Sequence, residues 1–278
     1  MTPMIKNRIR RAIIKSGIYL REWGLDPATV IGSYDYTRFV ILGRSRVGSN
    51  LLRGLLNSHS GIWAYGELFR DYQFIGWGFP DYPQLKSTLA LIQADPAAFL
   101  ENKVFRKYRK YVSAVGFKLF YYHAQEDGRE RVWEYLRNNK DIRIIHIKRR
   151  NILKTHLSRQ RALTSGKWAN VTGVTKDNAP ISLNYEDCIA DFVRTREWEA
   201  QYDRCFESHP KIVINYEDLA KDHVGEMKHI QKFLSVEFEE LQPSTYKQSS
   251  QPLSDAISNY FELKMAFAGS PWEVFFEE

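Results

Sequence analysis

Cysteine is scarce. The 278 residues contain two, Cys188 and Cys205. Both fall in one expected helix, seventeen residues apart, or about 25 Å at ~1.5 Å per residue. That span excludes a disulfide between them, and no Cys or His spacing suits a metal. No apolar run approaches the ~20 residues of a membrane span. The N-terminus lacks the compact apolar stretch and small-residue cleavage site of a signal peptide. There is no internal repeat or low-complexity tract, and no helix-turn-helix, zinc-finger or RRM signature. These absences argue against a disulfide scaffold, an integral membrane protein, a repeat array and the common nucleic-acid readers. They favour a reducing compartment, so the expected location is cytoplasmic.

Basic charge and aromatics are plentiful. Forty Lys and Arg face 33 Asp and Glu, a net charge of +7, and aromatics make up 14%. A basic surface suits anionic partners such as nucleotides or anionic lipid, and charge alone does not choose among them. Met1–Leu25 intersperses Ile5, Ile9, Ile13 and Tyr19 with Lys6, Arg8, Arg10, Arg11, Lys15 and Arg21. This pattern fits a helix packed on its own domain with a solvated basic face. It also fits one lying peripherally on an anionic membrane. Residues 1–34 are therefore read as a basic helical extension and 35–278 as a single domain.

Short, nearly continuous apolar runs at Thr37–Gly43, Ile62–Ala64, Val115–Phe120, Ile142–Lys148 and Lys211–Asn215 resemble strands of a parallel sheet covered on both faces. Expected helices alternate with them at Ser49–Asn57, Pro96–Arg109, Arg129–Asn138, Asn151–Thr164, Tyr185–Ser208 and Val224–Leu234, with a tail helix near Leu253–Ala266. The alternation predicts an α/β fold of three layers, a central parallel sheet flanked by helices. Asp71–Pro83, rich in Tyr, Trp, Gly and Pro, reads as a loop over the sheet edge that could hold an acceptor.

Two junctions carry chemistry. In the first, the strand ending at Gly43 runs through Arg44, Ser45, Arg46, Val47 and Gly48 into the Leu-rich helix opened by Ser49, Asn50 and Leu51. Backbone N–H groups and a helix N-terminus converge there on one anion position. Gly43 and Gly48 have the spacing of G-x-x-x-x-G-K-[ST], but Ser49 and Asn50 stand where the lysine and the Mg²⁺-binding hydroxyl belong. The cation comes earlier, at Arg46, which suits a metal-free donor with one anionic leaving group. In the second junction, strand Ile142–Lys148 feeds a helix through Arg149, Arg150 and Asn151. Ser158 follows Arg150 by eight residues, about two turns.

Arg46-Val47-Gly48-Ser49-Asn50-Leu51 resembles the 5′-phosphosulfate loop of the sulfotransferases that use 3′-phosphoadenosine 5′-phosphosulfate (PAPS). Val47 replaces the usual Ser, and Asn50 the usual Ser or Thr. Arg150 and Ser158 match the family's pair for the donor's 3′-phosphate. The Arg-Arg-Asn wording, Gly166-Lys167-Trp168, Tyr216-Glu217-Asp218-Leu219 (read as structural) and Pro252–Tyr260 look most like the bacterial nodulation-factor and lipopolysaccharide branch. The resemblance implies a P-loop-like fold, PAPS as donor, no metal, and a carbohydrate or glycolipid hydroxyl as acceptor. It implies Glu67 as the base that deprotonates this hydroxyl. His123, at another strand end, is the rival base. Lys118 could touch donor or acceptor or simply snorkel from the sheet, and Trp168 could stack on adenine. The alternative readings are a P-loop-like nucleotide kinase and a basic nucleic-acid-binding protein.

Overall fold

The computed structural model describes residues 32–71, 73–79, 82–126, 128–166, 179–243 and 251–277. The basic segment Met1–Leu25 and Trp168 lie outside the described residues.

Five strands, β1 (Thr37–Gly43), β2 (Ile62–Glu67), β3 (Ala114–Phe120), β4 (Arg143–Lys148) and β5 (Lys211–Asn215), form one parallel sheet in the order β2-β3-β1-β4-β5. Successive side chains of a strand face opposite ways, and β1 divides accordingly. Phe39 and Ile41 join Leu52, Leu55, Ile145 and Met227 on one face. Val40 and Leu42 join Leu119, Val132, Ile144 and Phe206 on the other. Because both faces are buried, the strands read as apolar runs rather than alternating ones.

The helices are α1 (Ser49–Leu56), α2 (Lys86–Ala94), α3 (Pro96–Phe99), α4 (Arg131–Asn138), α5 (Ile152–Ser165), α6 (Tyr185–Cys205), α7 (Tyr216–Lys221), α8 (His223–Phe233), α9 (Leu253–Ala256) and α10 (Tyr260–Ala266). α1 and α8 cover the first face; α4 and α6 cover the second. A third apolar cluster joins α5, α6, α9, α10 and a 3₁₀ turn at Glu273–Phe276. The expected three-layer arrangement around a central parallel sheet is therefore present.

Several elements depart from the sequence reading. The helix expected over Pro96–Arg109 stops early, passing from α3 into a π turn at Leu100–Val104. Phe105 turns out of helical geometry and is buried against Phe117. Tyr108 instead bridges to Ser33. The tail helix breaks at Ile257, whose extended backbone forms a bridge with Ile181. α2 and α7 have no counterpart among the expected helices. The Asp71–Pro83 segment is a loop where described, but it sends Ile75 and Trp77 into the core while Phe74 stays exposed. Cys188 and Cys205 are free and lie in α6.

Under the sheet's C-terminal edge, His146 is fully buried between the Tyr121 hydroxyl at 2.5 Å and Asp203 at 2.9 Å. Burial, reinforced by Lys148, pulls its pKa down to about 4. His123 is likewise pulled down to about 4, chiefly by burial. Both rings are thus neutral in the folded protein at neutral pH, while the unfolded chain protonates its histidines near 6.5. The unfolded state binds more protons as pH falls, so stability should drop between about pH 6.5 and 4, by about 3 kcal/mol per histidine. Denaturant melts across this range check the expectation; a flat midpoint would contradict it.

Candidate functional site

Strand order fixes where a ligand can sit. From β1 the chain crosses to one side, towards β2, whereas from β4 it proceeds to the other, towards β5. β1 and β4 are neighbours, with Leu42 opposite His146. Their C-terminal ends therefore flank the topological switch point, the usual crevice of an open parallel sheet. The two junctions singled out in the sequence are the segments leaving these two ends.

At the first junction, Gly48 occupies the N-cap of α1 in the left-handed region, φ 85°, with no capping side chain. By contrast Asn151, Asn184 and Asp222 cap α5, α6 and α8 with their side chains. An N-terminus without a side-chain cap suits an anion. Arg46 also has positive φ, 70°, an unusual state for a non-glycine residue that marks a constrained turn. Val47 is 2% exposed and packs into the core beside α1, which explains an apolar residue where the family's loop carries Ser.

The two junctions meet directly. Arg46 Nε donates to Ser158 Oγ at 2.9 Å, and Arg149 donates to the Arg46 carbonyl at 3.2 Å. Burial, and to a lesser degree the neighbouring Arg149, lowers the pKa of Arg46. Arg150 is exposed and pairs through both terminal nitrogens with Asp218, at 2.8 and 2.5 Å.

Arg44 behaves differently from its neighbours. Its side chain is 1% exposed, with guanidinium bonds to Thr195 and, at 3.1 Å, to Asp191. Asp191 also meets His156 at 3.1 Å and Arg159 at 2.7 Å. The Arg44 side chain is therefore committed to tying the loop to α5 and α6. The Ser45 N–H donates to the Tyr122 hydroxyl at 3.3 Å.

The Tyr216-Glu217-Asp218 triplet, read from the sequence as structural, braces both junctions. The Tyr216 ring lies so close to Gly48 that a Cβ there would sit 2.2 Å from it. Arg149 stacks over the same ring at 4.8 Å. Glu217 accepts from the Arg150 N–H at 3.1 Å, and Asp218 holds the Arg150 guanidinium. Only the return of the chain from β5 into α7 brings the triplet here, and nothing local in the sequence signals it.

The two rival bases stand together at the ends of β2 and β3. Glu67 pairs in register with Lys118, and Lys118 Nζ donates to Glu67 Oε1 at 3.0 Å and to Asn50 Oδ1 at 2.6 Å. His123 Nε2 lies 4.0 Å from Glu67 Oε2. Burial alone would raise the Glu67 pKa; Lys118, through its charge and hydrogen bond, and then His123 and Arg70, outweigh burial and lower it. The carboxyl is thus an anion at neutral pH. The His123 Nδ1 accepts from the Phe120 N–H at 3.3 Å, which leaves the ring proton of neutral His123 on Nε2. On this edge Glu67 therefore offers a proton acceptor and His123 a donor. The sequence leaves Lys118 between contact with donor or acceptor and snorkelling from the sheet, and its pairing with Glu67 depends on sheet register. Among the described residues no cluster of three His, Cys, Asp or Glu side chains could hold a metal ion.

A family model for the sulfotransferase family matches residues 38–240, which spans both junctions and the Glu67–Lys118 edge. The chain belongs to the sulfotransferase family. Two curated relatives are similar over nearly the whole sequence. Nodulation protein H of Rhizobium tropici is 26% identical over 247 residues, covering 86% of this chain and 92% of that protein. Nodulation protein H of Rhizobium meliloti (strain 1021) is 28% identical over 246 residues, 86% of this chain and 94% of that one. Among solved structures, a sulfotransferase from Alicyclobacillus acidocaldarius aligns with 86% of this chain and 94% of its own, at 15% identity and a TM-score of 0.49.

Gly48→Ala should dismantle the first junction of this sulfotransferase. It places a side chain in the left-handed region, at about 1–2 kcal/mol, and drives a methyl group into the Tyr216 ring. A lowered unfolding midpoint is expected, only partly restored by adding Tyr216→Ala, since the backbone term survives. Full restoration by the second substitution would show that the ring contact alone matters.

Proposed function

We propose that this sulfotransferase moves a sulfuryl group from PAPS to a hydroxyl of a carbohydrate or glycolipid acceptor. The observation that carries the donor half is the meeting of the two strand-to-helix junctions, with Arg46 on Ser158 at 2.9 Å. Arg46 and Arg149, one cation from each junction, meet at the switch point, which suits a donor carrying anionic groups at two ends. The residues at hand fit such a donor. The loop from Ser45 to Leu51, with the Arg46 side chain and the N-terminus of α1, would hold the 5′-phosphosulfate. Arg150 and Ser158 would hold the 3′-phosphate, with Arg150 exchanging Asp218 for phosphate oxygens. Arg44 would contribute through its backbone, its side chain being engaged with Asp191 and Thr195.

Sulfuryl transfer needs an attacking oxygen, a base for its proton and stabilisation of the leaving phosphate. Glu67, ionised beside Lys118, takes the acceptor's proton. The acceptor oxygen forms the new S–O bond as the bond to the bridging phosphate oxygen breaks, and the electron pair departs on adenosine 3′,5′-bisphosphate. Arg46 and the helix N-terminus stabilise that charge. His123, holding its proton on Nε2, orients Glu67 or the acceptor and does not act as the base. The carbohydrate acceptor is supported by the similarity to the nodulation H proteins and by the Arg-Arg-Asn wording of the second junction. Residues 35–278 constitute the domain in this reading, preceded by the basic extension.

Thermal unfolding with adenosine 3′,5′-bisphosphate, AMP and ATP tests the donor half. The bisphosphate should stabilise most, by about 2.7 kcal/mol at a hundredfold excess over its Kd, and Arg150→Ala should abolish the preference. A response to ATP alone, or phosphorylated product with ATP and Mg²⁺, would sink the proposal. With PAPS and a panel of oligosaccharides and glycolipids, Glu67→Gln should lower turnover by about 10²–10⁴ and leave bisphosphate affinity near that of the parent. Near-normal turnover would remove Glu67 as the base.

A further inference from the structure

Asn50 stands where the resembled loop carries Ser or Thr, and its partner explains the larger side chain. Its Oδ1 accepts from Lys118 Nζ at 2.6 Å. Lys118 belongs to β3, which lies between β1 and β2 in the sheet, and its side chain is 2% exposed. A buried ammonium needs both a counter-charge and further acceptors. Glu67 supplies the first at 3.0 Å, and Asn50 supplies one of the second.

The geometry divides the two oxygens of Glu67. Oε1 is held by Lys118, while Oε2 faces His123 Nε2 from 4.0 Å, beyond hydrogen-bond reach. Asn50 lies in the first turn of α1, two residues after Gly48. One ammonium therefore links the helix that opens at the donor loop to the carboxylate at the end of β2.

We infer that Lys118 and Asn50 are positioning residues for transfer: Asn50 anchors Lys118 to the donor-loop helix, and Lys118 holds Oε1 of Glu67 so that Oε2 takes the acceptor's proton. The inference rests on the sulfotransferase reading with Glu67 as base. It makes the donor loop and the base one mechanical unit, which fixes the distance of the base from that loop. A serine or threonine at position 50 has a shorter side chain and does not reach Lys118 without a shift of the helix.

The charges around Glu67 set the sign of the test. Lys118 on β3, His123 after it, Arg70 after β2 and Arg53 on α1 all face this edge, with the Tyr122 phenol nearby. Of these, Lys118 lowers the Glu67 pKa most. Removing its charge leaves burial less opposed, so Glu67 should hold its proton to higher pH.

Protein labelled with ¹³C at glutamate carboxyls, with Glu67→Gln to identify the signal, gives the titration of Glu67 directly and needs no acceptor. In Lys118→Met the midpoint should rise by about one unit or more; in Lys118→Arg it should stay near that of the parent. Asn50→Ala should shift it in the same direction by less. An unmoved midpoint in Lys118→Met overturns the inference. So does an unmoved midpoint in Asn50→Ala. Should Lys118→Met fail to fold, Asn50→Ala and Lys118→Arg still decide. A shifted midpoint together with unchanged turnover in Glu67→Gln would remove the base reading and leave the pairing standing.

Discussion

The parallel pairing of β1 with β4 is the constraint on which the rest depends. With Phe39 opposite Arg143 and Leu42 opposite His146, the two strands end side by side, and the segments that leave them must share one crevice. Arg46 and Ser158 are 112 residues apart in the chain, yet they hydrogen-bond. Moving β4 elsewhere in the sheet would leave two unrelated anion junctions. The strand order also puts β3 between β1 and β2, so Lys118 stands next to Glu67 on the same edge. One sheet thus brings both junctions and the Glu67–Lys118 pair to the same edge.

Concentrating cations at a crevice is unfavourable unless they are balanced, and this chain balances them with carboxylates set just behind. Asp191 meets Arg44, His156 and Arg159. Glu217 and Asp218 meet the backbone and side chain of Arg150, and Glu67 meets Lys118. Three kinds of pairing result. The Asp191 cluster is buried, and its breakage would leave uncompensated charge inside the protein. The Arg150–Asp218 pair is exposed and worth little as stability. The Lys118–Glu67 pair lies between these extremes, a buried ammonium against a partly exposed carboxylate whose pKa it lowers.

Much of the sheet and of the anion cradle is legible in the chain itself. Apolar runs mark all five strands within a few residues, because a sheet buried on both faces demands continuous hydrophobic sequence. The Gly48 loop, with Ser49 and Asn50 in place of Lys and Ser/Thr, distinguishes this cradle from a nucleotide-triphosphate site, and the family match agrees. Less legible are segments whose conformation answers to distant partners. Phe105 leaves its helix to pack on Phe117, and Ile257 interrupts the tail helix to pair with Ile181. Trp77 and Ile75, in a stretch that reads as surface loop, are buried. Local propensity is a weak prior when tertiary burial competes with it.

By itself the sequence determined that the chain forms a parallel α/β sheet and that a glycine loop and an arginine–serine pair follow two of its strands. These properties are written in adjacent residues, through apolar periodicity, glycine conformation and helical spacing. Only the tertiary structure decided which cations face the crevice. It turned Arg44 inward to Asp191, brought Tyr216 against Gly48, and set Lys118 between Asn50 and Glu67. Each of those outcomes depends on strand order and register, which join residues dozens of positions apart and leave no local trace in the chain.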